Sequence, residues 1–127
     1  MSEAERPWVP EGWRIITPRM VAVDARQLFD FIVNVFAATG EYQQDRPSVV
    51  TIGDSMLMIS EAGERDPMTA FLYVYVSDTD ATYHRAIAAG ARSLESPADT
   101  PYGDYRCMVR DPWGNTWQIA TYREMNT

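Results

Sequence analysis

The sequence predicts an α+β fold: two modules, each a strand, a helix and three strands, forming a curved mixed sheet around a cleft with the helices outside. Three observations predict it. Two segments with helical character, 24–40 and 78–89, each follow a β-rich segment. Each is followed in turn by short apolar segments that close on a Gly-centred turn, at Gly53-Asp54 and Gly114-Asn115. The linker-like Glu61–Pro67 divides the chain almost in half. A unit of this kind, repeated once, pairs its sheets across a pseudo-twofold axis and leaves a concave cavity.

The elements are justified in order. Met1–Pro10 is polar with two prolines and reads as an arm. Trp8 and Trp13 are too apolar for an idle tail, which points to packing on the domain or on a partner subunit. Arg14–Val23 is rich in β-branched residues and reads as a strand, with Pro18 marking an edge or bulge. Asp24 is a helix N-cap candidate, followed by Ala25, Leu28, Phe29, Ile32 and Phe36 at helical spacing, with Gly40 as the stop. Phe31 and Val35 lie off that stripe and suit either a broad core face or a subunit contact. Glu41–Thr51 is short, polar and interrupted by Pro47: two weak strands, or a strand and a loop. A turn at Ile52–Ser55 then enters the apolar strand Met56–Ile59.

In the second half Ala70–Val76 alternates sharply: Phe71, Tyr73 and Tyr75 share one face, Leu72, Val74 and Val76 the other. The aliphatic face suits packing under a helix, the aromatic face a cleft wall. Asp78–Ala89 is the second helix, with Tyr83, Ala86 and Ile87 as core positions and Gly90 as its end. A short strand over Arg92–Glu95 and a loop over Ser96–Pro101 lead to the last hairpin, whose turn is Asp111-Pro112-Trp113-Gly114-Asn115. The whole is one domain over 1–127: module one about 13–61, a linker about 61–68, module two about 69–123.

Composition excludes several classes. At 46% hydrophobic and 23% charged residues the chain is an ordinary globular one. The net charge of −7 opposes nucleic acid, whose phosphates demand Lys and Arg, and over its whole field mildly favours a cationic ligand. Lysine is absent, so every basic side chain besides the one histidine is Arg. One cysteine, Cys107, rules out an intrachain disulfide and a cysteine-based zinc site. No apolar run reaches the roughly 20 residues of a membrane-spanning helix, and the N-terminus has no signal-peptide pattern, so the expected compartment is the cytoplasm.

An ordered set of short motifs carries a family resemblance: Pro10-Glu11-Gly12-Trp13, Thr17-Pro18, Val23-Asp24-Ala25, Ile52-Gly53-Asp54-Ser55, Tyr75-Val76 with Asp78 and Asp80, Ala88-Ala89-Gly90-Ala91, Tyr102-Gly103-Asp104, and Arg110–Asn115 with Trp117. From about Pro7 to Arg123 the chain resembles the vicinal oxygen chelate superfamily: glyoxalases, bleomycin-type resistance proteins and extradiol dioxygenases. It is most similar to the stand-alone glyoxalase-like branch. The resemblance implies paired βαβββ modules, a homodimer and a small-molecule ligand; fold alone does not give function.

Metal-dependent members of that superfamily take ligands from the first and last strand of each module. Counting seven residues back from the helix-opening Asp24 and Asp80, and four on from each turn glycine, gives Thr17, Leu57, Tyr73 and Gln118, with Met56 or Met58 as alternatives to Leu57. A hydroxyl, an alkyl chain, a phenol and an amide do not replace imidazole and carboxylate, so no metal or other cofactor is expected. His84, the one histidine, falls on a helix flank with no partner beside it, and Cys107 has only His84 as a conceivable base.

The expectation is therefore metal-independent binding of a small aromatic or cationic organic molecule, with sequestration as one possible role. The ligand-contacting residues would be Thr17, Leu57, Phe71, Tyr73, Tyr75, Trp113 and Gln118. The alternative is a metal-free isomerase, lyase or cyclase working by acid–base chemistry, for which Glu41, Asp45 and Asp104 are rim carboxylates but no catalytic residue stands out. A structural or regulatory dimer with a closed cavity is a third reading.

Overall fold

The helical and alternating patterns resolve into two copies of one topology over residues 6–123, the part of the chain that the computed structural model describes. The first comprises β1 (Arg19–Ala22), α1 (Ala25–Phe36), β2 (Thr39–Glu41), β3 (Ser48–Ile52) and β4 (Ser55–Glu61). The second comprises β5 (Phe71–Tyr75), α2 (Thr79–Ala88), β6 (Arg92–Asp99), β7 (Asp104–Arg110) and β8 (Thr116–Tyr122). Each makes a four-stranded mixed sheet, ordered β1-β4-β3-β2 and β5-β8-β7-β6. The first and last strands of each module pair in parallel, and the remaining neighbours are antiparallel.

Each helix covers one face of its own sheet, and the two helices touch. Phe31 and Val35 are buried along with the main stripe of α1, so that helix has a broad core face. Edge-on contact of Phe31 with Trp113 (centroids 5.8 Å) and packing of Phe36 on Trp117 (4.8 Å) fuse the two modules into one core.

The last hairpin owes its form to a buried carboxylate. Asp111 accepts four N–H groups: Trp113 N and Asn115 N on Oδ1 (3.0 and 2.9 Å), Asn115 Nδ2 and Trp117 Nε1 on Oδ2 (3.0 and 2.9 Å). Gly114, at φ +93°, completes the turn in a conformation that favours glycine. Asn115 then accepts the Ala70 N–H on its own Oδ1 (2.9 Å), fixing the chain as it enters β5.

Four local expectations are corrected. β1 begins only at Arg19: Pro18 has no N–H to give and joins the sheet solely as an acceptor, from Met58 N at 2.8 Å. Gly40 does not end α1. The helix stops at Phe36 with Ala37 left-handed, and Gly40 lies in β2, where a Cβ would sit 2.5 Å from the Val49 carbonyl oxygen. Tyr83 is half-buried against the core as expected, but Ile87 is 37% exposed, because Thr79 and Thr82 face inward. Their hydroxyls are satisfied there, Thr79 with the Tyr105 carbonyl (3.0 Å) and Thr121 (2.8 Å), Thr82 with the Asp78 carbonyl (3.0 Å). Finally, β6 continues to Asp99; as a bulged edge strand it tolerates Pro97. In the arm, residues 1–5 lie outside the described residues; Trp8 is exposed and Trp13 half-buried.

The two helix starts also differ from each other. Asp78 caps α2 by accepting the Ala81 N–H (3.1 Å). Asp24 sits at φ +66° and its side chain caps nothing. Instead Glu61, at the end of β4, accepts the N–H groups of Asp24 (2.9 Å) and Ala25 (2.8 Å). A cap supplied from another strand ties helix to sheet. Replacing Glu61 by Ala is expected to cost about 1–2 kcal/mol in urea unfolding, within the range for lost caps. Asp24→Gly should be neutral or stabilising, since glycine relieves the left-handed backbone. A loss for Asp24→Gly as large as for Glu61→Ala would mean that the Asp24 side chain does the capping.

Candidate functional site

Alternation along β5, β8 and β7 sends one set of side chains under α2 and leaves the other on an open sheet face. Leu72, Val74, Trp117, Ile119, Cys107 and Val109 belong to the core or pack against it. The open face carries cross-strand rows set by register: Phe71, Thr116 and Arg110; Tyr73, Gln118 and Met108; Tyr75, Ala120 and Arg106. Phe71 is 69% exposed and Tyr75 60%, unusual for aromatics on a strand.

Asp104, at the head of β7 and only 2% exposed, organises this face. The phenols of Tyr73 and Tyr75 both donate to its Oδ2, at 2.5 and 2.9 Å, and their rings lie tilted with centroids 5.4 Å apart. Thr100 Oγ1 accepts the Asp104 N–H at 3.0 Å and donates to its carbonyl at 2.9 Å, which fixes the backbone that carries the carboxylate. Desolvation and the bond to Asp104 hold the Tyr73 hydroxyl far above the ordinary phenol range. Tyr75 is raised as well, chiefly by its bond to Asp104. Beside them Arg106 donates from Nη1 to Tyr102 Oη (2.5 Å) and, more weakly, from Nη2 to Glu95 (3.4 Å).

Two hollows adjoin β5. A groove of about 860 Å³ between the modules is lined by Ile16, Pro18, Leu57, Tyr73, Tyr75 and Trp117 among others. An open depression of about 460 Å³ on the second sheet is lined by Phe71, Leu94, Met108, Arg110 and Thr116 among others. The seven residues expected from sequence are thus only partly gathered. Phe71, Tyr73, Tyr75 and Gln118 share the open face of module two, where the Gln118 amide makes no hydrogen bond with the described residues. Leu57 is a buried core residue that also borders the groove, and Thr17 stands between two of the groove's residues. Trp113 borders neither hollow; its ring is spent on Phe31.

The comparisons agree with this architecture. The family model described as Glyoxalase/Bleomycin resistance protein/Dioxygenase superfamily matches residues 22–119, well over half of the chain. This chain belongs to that superfamily. Among curated relatives, the uncharacterized protein Mb0911c of Mycobacterium bovis is 29% identical, covering 87% of this chain and 86% of its own. Among solved structures, TioX from Micromonospora sp. ML1 is similar with a TM-score of 0.74 at 24% identity, over 87% of this chain and 99% of its own. The fosfomycin resistance protein FosX from Mesorhizobium loti gives 0.66 at 15% identity, over 85% and 91%. At these identities the structures speak for the fold alone.

Strand register gives the equivalent positions of the two modules. Tyr73 pairs with Gln118, and Arg19 pairs with Met58. Tyr73 lies five residues before its helix cap Asp78, as Arg19 does before Asp24. Counting from Asp80, two residues into the second helix, displaces the first-module position to Thr17. By register, Arg19 and Met58 are the first-module counterparts of Tyr73 and Gln118. A guanidinium, a thioether, a phenol and an amide do not fit a hard divalent metal. Among the described residues no group of three or more His, Cys, Asp or Glu could hold one either.

Sequence reasoning put Asp104 only among rim carboxylates. Nothing in a one-dimensional pattern signals that two phenols from β5 converge on it from 29 and 31 residues away. Of the other two carboxylates, Glu41 is exposed on β2 and Asp45 is an exposed ion-pair partner of Arg46 (3.2 Å). His84 is exposed on α2, and burial pushes the Cys107 thiol up to about 11, the direction of an inert buried cysteine.

A raised folded-state phenol pKa contributes stability that is fully present below the ordinary value of about 10 and is lost as pH rises past it. Of the seven tyrosines, Tyr105 should ionise late in an alkaline absorbance titration through its bond to Asp80, Tyr73 through desolvation and its bond to Asp104, and Tyr75 through its bond to Asp104. Asp104→Asn should advance Tyr73 and Tyr75 toward the ordinary range. An unchanged titration in that variant would contradict the shared carboxylate.

Proposed function

We infer that this superfamily member works without a divalent metal and binds a small, flat organic molecule on the open face of its second sheet. The observation that carries this reading is the sealed carboxylate of Asp104. It fixes two tyrosine rings as a rigid wall, next to an amide, Gln118, that has no partner of its own among the described residues. Rigid aromatics with one free polar handle suit a planar ligand by stacking and orientation. Tyr73 and Gln118 offer a ligand ring surface and hydrogen bonds where a hard metal would need charge and basicity.

The same geometry weighs against acid–base catalysis. A general base must reach its substrate, and Asp104 is covered by the two phenols. Tyr73, with its proton bonded to a carboxylate and its pKa raised, is a poor proton donor near neutrality. Sequestration of a harmful or transported compound is a role that such binding serves without turnover. The aromatic face is open in one chain, and a second copy is the partner we propose to close it, in keeping with the dimers common in this superfamily.

Thermal-shift screening against planar aromatic metabolites should yield a ligand that raises the melting temperature. Tyr73→Ala and Gln118→Ala should each weaken its binding about tenfold, the loss of a stacking surface or of one hydrogen bond. Elemental analysis showing one divalent ion per chain would overturn the metal-free reading. Turnover of the bound compound, abolished by a substitution that leaves affinity intact, would overturn the sequestering role.

A further inference from the structure

The net charge of −7 argues for a cation at long range, but the open face of the second sheet inverts that field locally. Three arginines of β6 and β7 stand on it. Arg92 and Arg110 face each other directly across the two strands, both exposed and neither within ion-pair distance of a carboxylate among the described residues. Like charges in directly opposed positions are destabilising, so this pair needs an explanation other than sheet stability. Arg106 lies on the same face of β7, with Met108 between it and Arg110. Its guanidinium is under-used: one bond to the Tyr102 hydroxyl, a stretched contact of 3.4 Å to Glu95, and a buried Nε with no partner among the described residues.

Against this positive charge the face offers little negative. Asp104 is sealed behind Tyr73 and Tyr75, which leaves Glu95 as the accessible carboxylate of this face among the described residues, in a long contact with Arg106. Arg110 also lines the 460 Å³ depression together with Phe71, Met108 and Thr116. A cation would meet the Arg110 guanidinium there, with Arg92 and Arg106 on the same sheet face. An organic acid would find a planar fork suited to a carboxylate, with an exposed ring alongside.

We propose that the ligand of this face is a flat aromatic acid: its ring lies on Phe71 and Tyr73, and its carboxylate is held by Arg110, with Arg92 and Arg106 adding to the local field. This rests on the binding reading above and names the ligand class that the reading leaves open. Gln118, one row away, supplies a hydrogen bond to a ring substituent.

Two probes share a ring and differ in charge: 2-naphthoate and 2-naphthylmethylammonium, titrated by calorimetry against the full-length protein and its Arg110→Gln, Arg106→Gln and Tyr73→Ala variants. The expected result is naphthoate binding at least about tenfold tighter than the ammonium probe, the scale of a charge-assisted bidentate pair. Arg110→Gln should remove most of that preference, and Arg106→Gln a smaller part. Arg110 is exposed and Arg110→Gln leaves the core untouched, so a folded variant is available even if Arg106→Gln is not. Tighter binding of the ammonium probe, or a naphthoate affinity indifferent to Arg110→Gln, overturns the proposal. If both probes bind equally and Tyr73→Ala weakens both, the aromatic wall stands and only the assignment to acids falls. If neither probe binds, both readings fall together.

Discussion

The buried carboxylate of Asp111 is the interaction on which the rest of this structure depends. A charge at 3% exposure is tolerable only because four N–H donors converge on it, two from the backbone and two from side chains. Those donors determine three things at once. The backbone of the turn is closed, the indole of Trp117 is set at full burial, and Asn115 is oriented so that its oxygen receives the Ala70 N–H. Through Ala70 the turn decides where β5 begins, and so the registration of Tyr73 opposite Gln118. Through Trp117 and Trp113 it meets Phe36 and Phe31 of the other module. One side chain thereby links the hairpin, the aromatic strand and the joint between modules.

A second carboxylate repeats the device with a different outcome. Asp104 is as deeply buried as Asp111, yet its donors are two phenols rather than turn amides. Its effect falls on the open face of the sheet instead of the core. The phenols lose their freedom and gain a fixed tilt, while their rings stay exposed to whatever lies above the sheet. A face built in this way is pre-organised: ordering of the aromatic side chains occurs on folding, not on binding. On the reading proposed above, the superfamily fold keeps its sheet and exchanges metal chemistry for shape, ring surface and locally positive charge.

The two modules share topology without sharing detail, and the differences have physical causes. α2 begins on its own Asp78, whereas α1 borrows Glu61 from β4. In α2 threonines occupy inward positions because Tyr105, Thr121 and Asp78 offer partners for their hydroxyls. α1 is instead apolar on a broad face, since it must meet both its own sheet and the aromatic residues of the second module. Only the aromatic-rich second sheet carries the constellation built around Asp104.

By itself the sequence determined the fold class, the order of the elements, the turn at Asp111–Asn115 and the two-faced character of Phe71–Val76. These are properties of local spacing, and the superfamily motifs are strung along the chain in order. Through the family resemblance it also led to the expectation that the positions used by metal-dependent members carry no imidazole or carboxylate here. Only the tertiary structure decided the site. Glu61 capping a helix 36 residues away, Asp104 joining two phenols of another strand, and Arg92 set against Arg110 are all products of strand pairing. On the proposal made above, the sign of the ligand's charge belongs with them. Net charge is a sum over the whole chain and pointed to a cation; the field at a site depends on which few charges share a face, and here the sheet gathers arginines while hiding an aspartate.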